Sequence, residues 1–108
     1  MTPVKVTAWV DQGIAPLVEA LNRYPNLVTC ESCQQDSDGN AYVLFTVFSE
    51  AELFTEASKL AGIVSEIPES RAVLAVEWWY GSDTPLIRLR CPPADVQPLA
   101  DVLASHAP

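Results

Sequence analysis

The chain has 108 residues, 49% of them hydrophobic, and its fourteen acidic against six basic side chains give a formal charge of −8 at pH 7. That length closes one hydrophobic core and cannot divide its apolar residues between two, so one α+β domain over residues 1–108 is expected and a disordered chain is excluded. A surface of this sign repels phosphate backbones, which disfavours nucleic acid as a partner.

The opening residues Met1 to Thr7 have neither the apolar run nor the cleavage site of a signal peptide. No stretch approaches the ~18 apolar residues that span a bilayer, so a cytoplasmic protein without a membrane partner is expected. Three cysteines, an odd number in a reducing compartment, argue against a disulfide framework.

Val4, Val6, Ala8 and Val10 alternate with Lys5, Thr7 and Trp9, which predicts a first strand from Pro3 to Val10. Asp11 then stands where a helix needs an acceptor for its free amides, and Pro16 falls in the first turn of a helix striped by Ile14, Leu17, Val18 and Leu21. Pro25 ends it near Tyr24. A second strand runs from Leu27 to Ser32 and a third from Asn40 to Phe48, joined by the turn residues Asp38-Gly39-Asn40. The third carries apolar residues on both sides, so it should be central and partly covered on both faces.

Ser49-Glu50-Ala51-Glu52 has capping-box spacing and predicts a second helix. Leu53, Ala57, Leu60, Ala61 and Val64 form its inward stripe, with Glu50, Glu56 and Lys59 outside. It ends at Gly62 or several residues later, toward Ile67-Pro68. A long fourth strand, Arg71 to Tyr80, turns at Gly81-Ser82-Asp83 into a fifth, Pro85 to Cys91, with Ile87 and Leu89 on one side and Arg88 and Arg90 on the other. Pro92-Pro93 stops it, and Val96, Leu99, Ala100, Val102 and Leu103 follow a helical period to about Ser105. The order β-α-β-β-α-β-β-α predicts a ferredoxin-like split β-α-β sandwich with an added hairpin strand and a C-terminal helix.

Cys30-x-x-Cys33 is the obvious chemical motif, since two thiolates at that spacing chelate zinc or form a catalytic disulfide. Residues three apart on a regular strand point to opposite faces, and a redox pair wants a helix N-terminus where this chain has Gln34-Gln35-Asp36. Cys91 and His106 are the residues that would complete a Cys3His set. His106 is also the sole histidine, and four glycines form no phosphate loop, so no nucleophile with base and orienting group emerges and no cofactor is expected.

Trp78 and Trp79 face opposite ways on a regular strand, so one should join the helix-covered core while the other lies on the second sheet face. There Trp9, Glu77, Trp79, Arg88 and Arg90 are the candidate binding surface, suited to a second protein or to stacking single-stranded RNA unless the last helix covers it.

Asp11, Ile14, Leu17, Leu21, Asn22, Thr29, Ser32 and Cys33 resemble the opening signature of the wybutosine-synthesis tRNA methyltransferase family, in which a helix ending in Leu-Asn leads to a Thr-x-x-Ser-Cys-x-Gly strand. Small bacterial and phage proteins look similar and share an Ala-Tyr-Val-x-Phe strand, here Ala41-Tyr42-Val43-Leu44-Phe45. The resemblance implies a shared architecture over roughly the first 45 residues, with Thr29, Ser32 and Cys33 as ligand-contacting positions. Gln35 stands where the family has glycine, and the chain is about half the family's length.

Together these features predict a small, acidic, non-enzymatic protein-binding domain, homodimeric and encoded by a phage or mobile element. Two alternatives stay open: an accessory domain that binds nucleotide or RNA, and a zinc protein using Cys30, Cys33 and Cys91 with His106.

Overall fold

A computed structural model describes residues 9–79 and 85–108 of the chain. It is an α+β structure of four strands and three helices, in the order α1 (Ala15–Asn22), β1 (Leu27–Cys33), β2 (Ala41–Val47), α2 (Leu53–Val64), β3 (Val73–Glu77), β4 (Leu86–Cys91) and α3 (Val96–His106). Short 3-10 turns, Glu50–Glu52 and Pro93–Asp95, lead into α2 and α3. The strands form one antiparallel sheet in the order β1-β2-β4-β3.

That order departs from the expected ferredoxin-like one. In a split β-α-β unit the first strand lies inside the sheet, beside the third; here β4 holds the place next to β2. The expected strand Pro3 to Val10 lies mostly outside the described residues, and its described end, Trp9 and Val10, is exposed and not in a strand. The turn Gly81-Ser82-Asp83 also lies outside them. β3 and β4 do pair antiparallel, as Val73↔Arg90 through Glu77↔Leu86.

Side-chain alternation divides the sheet. Ala41, Val43, Phe45 and Val47 of β2 and Ile87, Leu89 and Cys91 of β4 are buried in a cluster with Leu17 and Leu21 of α1, Leu53 and Leu60 of α2, and Leu99 and Leu103 of α3. All three helices therefore lie on one face, because each apolar stripe finds its apolar partner there. Tyr24, 1% exposed, locks the arrangement by donating its hydroxyl to the carbonyl of Leu103 at 2.6 Å.

Several local expectations change. Asp11 does not cap α1 through its side chain; its carbonyl accepts from the amides of Ile14 and Ala15 at 3.1 Å, and the helix starts a turn later. Ser49 makes no capping box either, since the Glu52 amide bonds to the Ser49 carbonyl as a 3-10 turn. The stripe of α2 runs Leu53, Glu56, Leu60, Ile63, Val64, which buries Glu56 and exposes Ala61. Glu56 accepts a hydrogen bond from Asn26 Nδ2 at 3.4 Å, so the buried carboxylate is not left without a donor. Gly62 lies inside α2, which runs on to Val64. Where the loop after it turns back toward the sheet, Glu69 adopts a left-handed φ of 63°.

Candidate functional site

The face of the sheet turned away from the helices is where the chemistry collects. On β2 and β4 it presents Tyr42, Leu44, Thr46, Leu86, Arg88 and Arg90, and β3 adds Val73, Ala75 and Glu77. On β1 the register shifts between Thr29 and Glu31, so Cys30 is a bulge. The extra residue moves the sequence to the other phase, and Glu31 and Cys33 reach the open face while Thr29 and Ser32 point toward the helices.

A continuous polar chain crosses all four strands. The Tyr42 hydroxyl donates to Glu31 Oε1 at 3.1 Å, and the Arg88 guanidinium lies 4.4 Å from the centroid of the Tyr42 ring. Arg88 also donates through Nε to Glu77 Oε2 and through Nη2 to Glu77 Oε1 at 3.2 Å. Trp79 Nε1 donates to the same Oε1 at 3.0 Å. This geometry follows from the pairing. Ala75 stands directly opposite Arg88, so nothing bulky blocks its long side chain from leaning diagonally to Glu77 on one neighbour and Tyr42 on the other.

The electrostatics agree. The Arg88 hydrogen bond, and after it the Trp79 bond, holds the Glu77 carboxyl below the usual carboxylate range, while Glu77 in turn raises Arg88. Burial, and then the hydrogen bond to Glu31, pushes the Tyr42 phenol up. A paired carboxylate, a paired guanidinium and a phenol held in its neutral form make a patterned surface.

Of the five residues expected to form the binding surface, Glu77, Trp79, Arg88 and Arg90 come together here. Trp9 does not; it stands fully exposed beyond β1, at the rim of a cleft of about 360 Å³ whose described lining includes Val10, Asp11, Val18, Thr29, Cys30, Glu31 and Ser32. Neither tryptophan of the Trp78-Trp79 pair joins the core, because β3 ends at Glu77 and strict alternation stops with it; they are 63% and 44% exposed. Sequence reasoning passed over Tyr42 and Glu31. The alternation of β2 already opposes Tyr42 to Val43, whereas the bulge that delivers Glu31 leaves no mark in the residue pattern.

The cysteines do not converge. Cys91 is buried on the helix side, Cys33 lies on the open face, and Cys30 is exposed at the bulge with its thiol 3.6 Å from the Val28 carbonyl. His106 is paired with Glu66 at 2.7 Å. Among the described residues no group of three or more cysteine, histidine or acidic side chains is placed to hold a metal ion. Burial, with the Asp95 carboxylate adding to it, pushes the Cys91 thiol up to about 11, and a thiol so held is a poor source of thiolate.

Of the positions implied by the resemblance, Thr29 and Ser32 line the cleft and Cys33 is turned away from both. The Thr29 hydroxyl is 3.1 Å from Asn22 Oδ1. No protein-family model, curated protein or solved structure matches the chain. Its function must therefore be argued from the faces and clefts themselves. Among the described residues no helix is long and apolar enough to cross a membrane.

Proposed function

We propose that this protein is a small, acidic, non-enzymatic binding domain whose helix-free sheet face receives a protein partner, self-association included. The observation that carries the reading is the cross-strand chain Glu31, Tyr42, Arg88, Glu77, Trp79, joined by hydrogen bonds and ring stacking on a face that no described helix covers. Aromatic and arginine side chains fixed in advance lose little entropy on docking and are the residue types that dominate protein interfaces. With eight more acidic than basic side chains in the whole chain, Arg88 and Arg90 make this face less acidic than the rest, which suits a partner of mixed charge.

The test compares quantitative capture from cell lysate by the wild type, by Arg88→Ala with Trp79→Ala, and by Glu19→Ala on the exposed side of α1. A partner lost from the face variant and kept by the Glu19 variant supports the reading; equal capture by all three overturns it.

The cleft beside β1 favours a second reading, a small-molecule or RNA-accessory role for Thr29 and Ser32. Among the described residues its lining includes Asp11 and Glu31 and no basic side chain, which opposes a phosphate ligand. RNA binding that persists at moderate salt would favour this reading over the first.

A further inference from the structure

We infer that a second copy of this chain docks on the outer edge of β3, antiparallel about a two-fold axis at Leu74, joining the two sheets into one of eight strands. The inference rests on the self-association part of the protein-binding reading above and places its seam at a strand edge beside the sheet face. Among the described residues β3 pairs only with β4, so its other side offers unpaired backbone donors and acceptors.

Three independent features mark this edge. Among the described residues Val73, Trp78 and Trp79 are half of the six exposed large hydrophobics, and they fall within seven residues. Trp78 and Trp79, 63% and 44% exposed, follow β3 directly and stand where residues 69 and 70 of a second copy would pass. Beside the strand, between it and α2, lies a cleft of about 410 Å³ whose lining includes Ala61, Val64, Ile67, Ala72 and Leu74. Apolar side chains entering from a second strand would fill it.

The residues of the strip are also complementary to themselves. Pairing about Leu74 sets Arg71 opposite Glu77 of the second copy on the open face, and Val73 opposite Ala75. On the helix side Leu74 meets its own mate and Ala72 meets Val76. Within residues 71–77 the charged pair is of opposite sign and every apolar residue meets an apolar one, twice over by symmetry. Three of the six basic side chains, Arg71, Arg88 and Arg90, lie on this side of the sheet, so the general acidity that would separate two copies is weakest here. A self-complementary strip favours a second copy over an unrelated basic peptide.

The test is light scattering after size exclusion, from micromolar to about millimolar chain, on the wild type, Val73→Lys and Phe54→Lys. A lysine on an edge strand opposes strand addition, whereas Phe54 is exposed on α2. The expected result is a wild-type mass near twice 11.8 kDa, a Phe54→Lys mass that matches it, and a dimer at least tenfold weaker for Val73→Lys. A wild-type dimer that Val73→Lys leaves intact overturns the β3 seam and keeps the self-association reading. A wild type at single-chain mass throughout overturns the seam and self-association together. Should Val73→Lys lose its cooperative melt, hydrogen exchange on the wild type decides: slower exchange at Val73–Glu77 in concentrated than in dilute samples supports the seam, and equal exchange overturns it.

Discussion

Replacing Tyr24 by phenylalanine tests the frame on which the open face is built. The Tyr24 hydroxyl donates at 2.6 Å to the carbonyl of Leu103, in the last turn of α3, where the Ala107 amide bonds instead to Ala104. Leu103 therefore holds one of the end carbonyls that a helix cannot satisfy by itself, and Tyr24 caps it from the junction between α1 and β1. The ring stays in the variant, with its packing and its contact to Lys59 Nζ at 5.9 Å; only the oxygen goes. Loss of one donor to a buried acceptor costs about 1–3 kcal/mol, and at about 4–8 °C per kcal/mol for a domain of this size the melting point should fall by about 10 °C. Urea unfolding followed by circular dichroism would measure it, with the midpoint lowered and the slope unchanged. A second signature comes from pH. Burial, and then the Glu56 carboxylate, raises the Tyr24 phenol above its ordinary value of 10.0. The folded state then holds the proton longer than the unfolded one, so this contribution is complete below the ordinary phenol range and disappears as pH climbs through the raised value. Tyr24→Phe should lack that part of the alkaline decline. A loss below about 0.5 kcal/mol at pH 7, together with an unchanged alkaline limb, would refute the cap, since the structure gives that oxygen a buried helix-end acceptor.

Cys91, raised from 9.0 to about 11, should stabilise the fold fully below pH 9 and lose that contribution between pH 9 and 11, by at most about 3 kcal/mol; Cys91→Ala should flatten the limb in a pH series of urea melts. Glu69, at φ 63°, carries a left-handed strain of about 1–2 kcal/mol, offset in part by the entropy a glycine loses on folding. Glu69→Gly should thus raise the melting point by a few degrees, and a calorimetric scan showing a fall would contradict this. Glu77 is held below its ordinary range, so its share of stability is present at neutral pH and lost as pH falls through the lowered value. Glu77→Gln should make acid unfolding less steep and shift Trp79 fluorescence, while costing no more than about 1 kcal/mol at pH 7 because the pair is partly open to water.

The sequence was informative where one residue type decides one local geometry. Gly39 adopts φ 82° in the β1–β2 turn, where Asp36 Oδ1 accepts from the amides of Asp38 and Asn40; the Asp-Gly-Asn run marks that chemistry. Ile87 and Leu89 against Arg88 and Arg90 read correctly as the two sides of a strand. The pattern was silent where an element's neighbours decide. Glu56 looks like a solvent residue by type, yet the helix turns it inward because 53, 56, 60 and 63 is the stripe that meets the sheet. The bulge at Cys30 changes which face Glu31 and Cys33 use, and periodicity assumes that no such residue is inserted. Strand order was the largest departure, since no local preference distinguishes β4 from an N-terminal strand as the neighbour of β2.

The position of α3 shows how the open face comes to exist. Its stripe of Val96, Leu99, Ala100 and Leu103 must be buried against apolar surface, and two surfaces were in principle offered to it. On one, β4 presents Ile87, Leu89 and Cys91; on the other, the same strand presents Arg88 and Arg90, with Glu77 and Tyr42 alongside. Docking on the second would bury charged groups, and each would need a partner or cost several kcal/mol. A helix carrying only aliphatic residues on its inner side supplies none. The arginines of β4 thus direct α3 to the side already holding α1 and α2, and among the described residues the face they occupy stays without a helix. Arg88, paired with Glu77 and stacked on Tyr42, is on the proposed reading part of a polar pattern for a separate protein surface, because an interface satisfies such groups pairwise whereas the chain's own apolar helix does not.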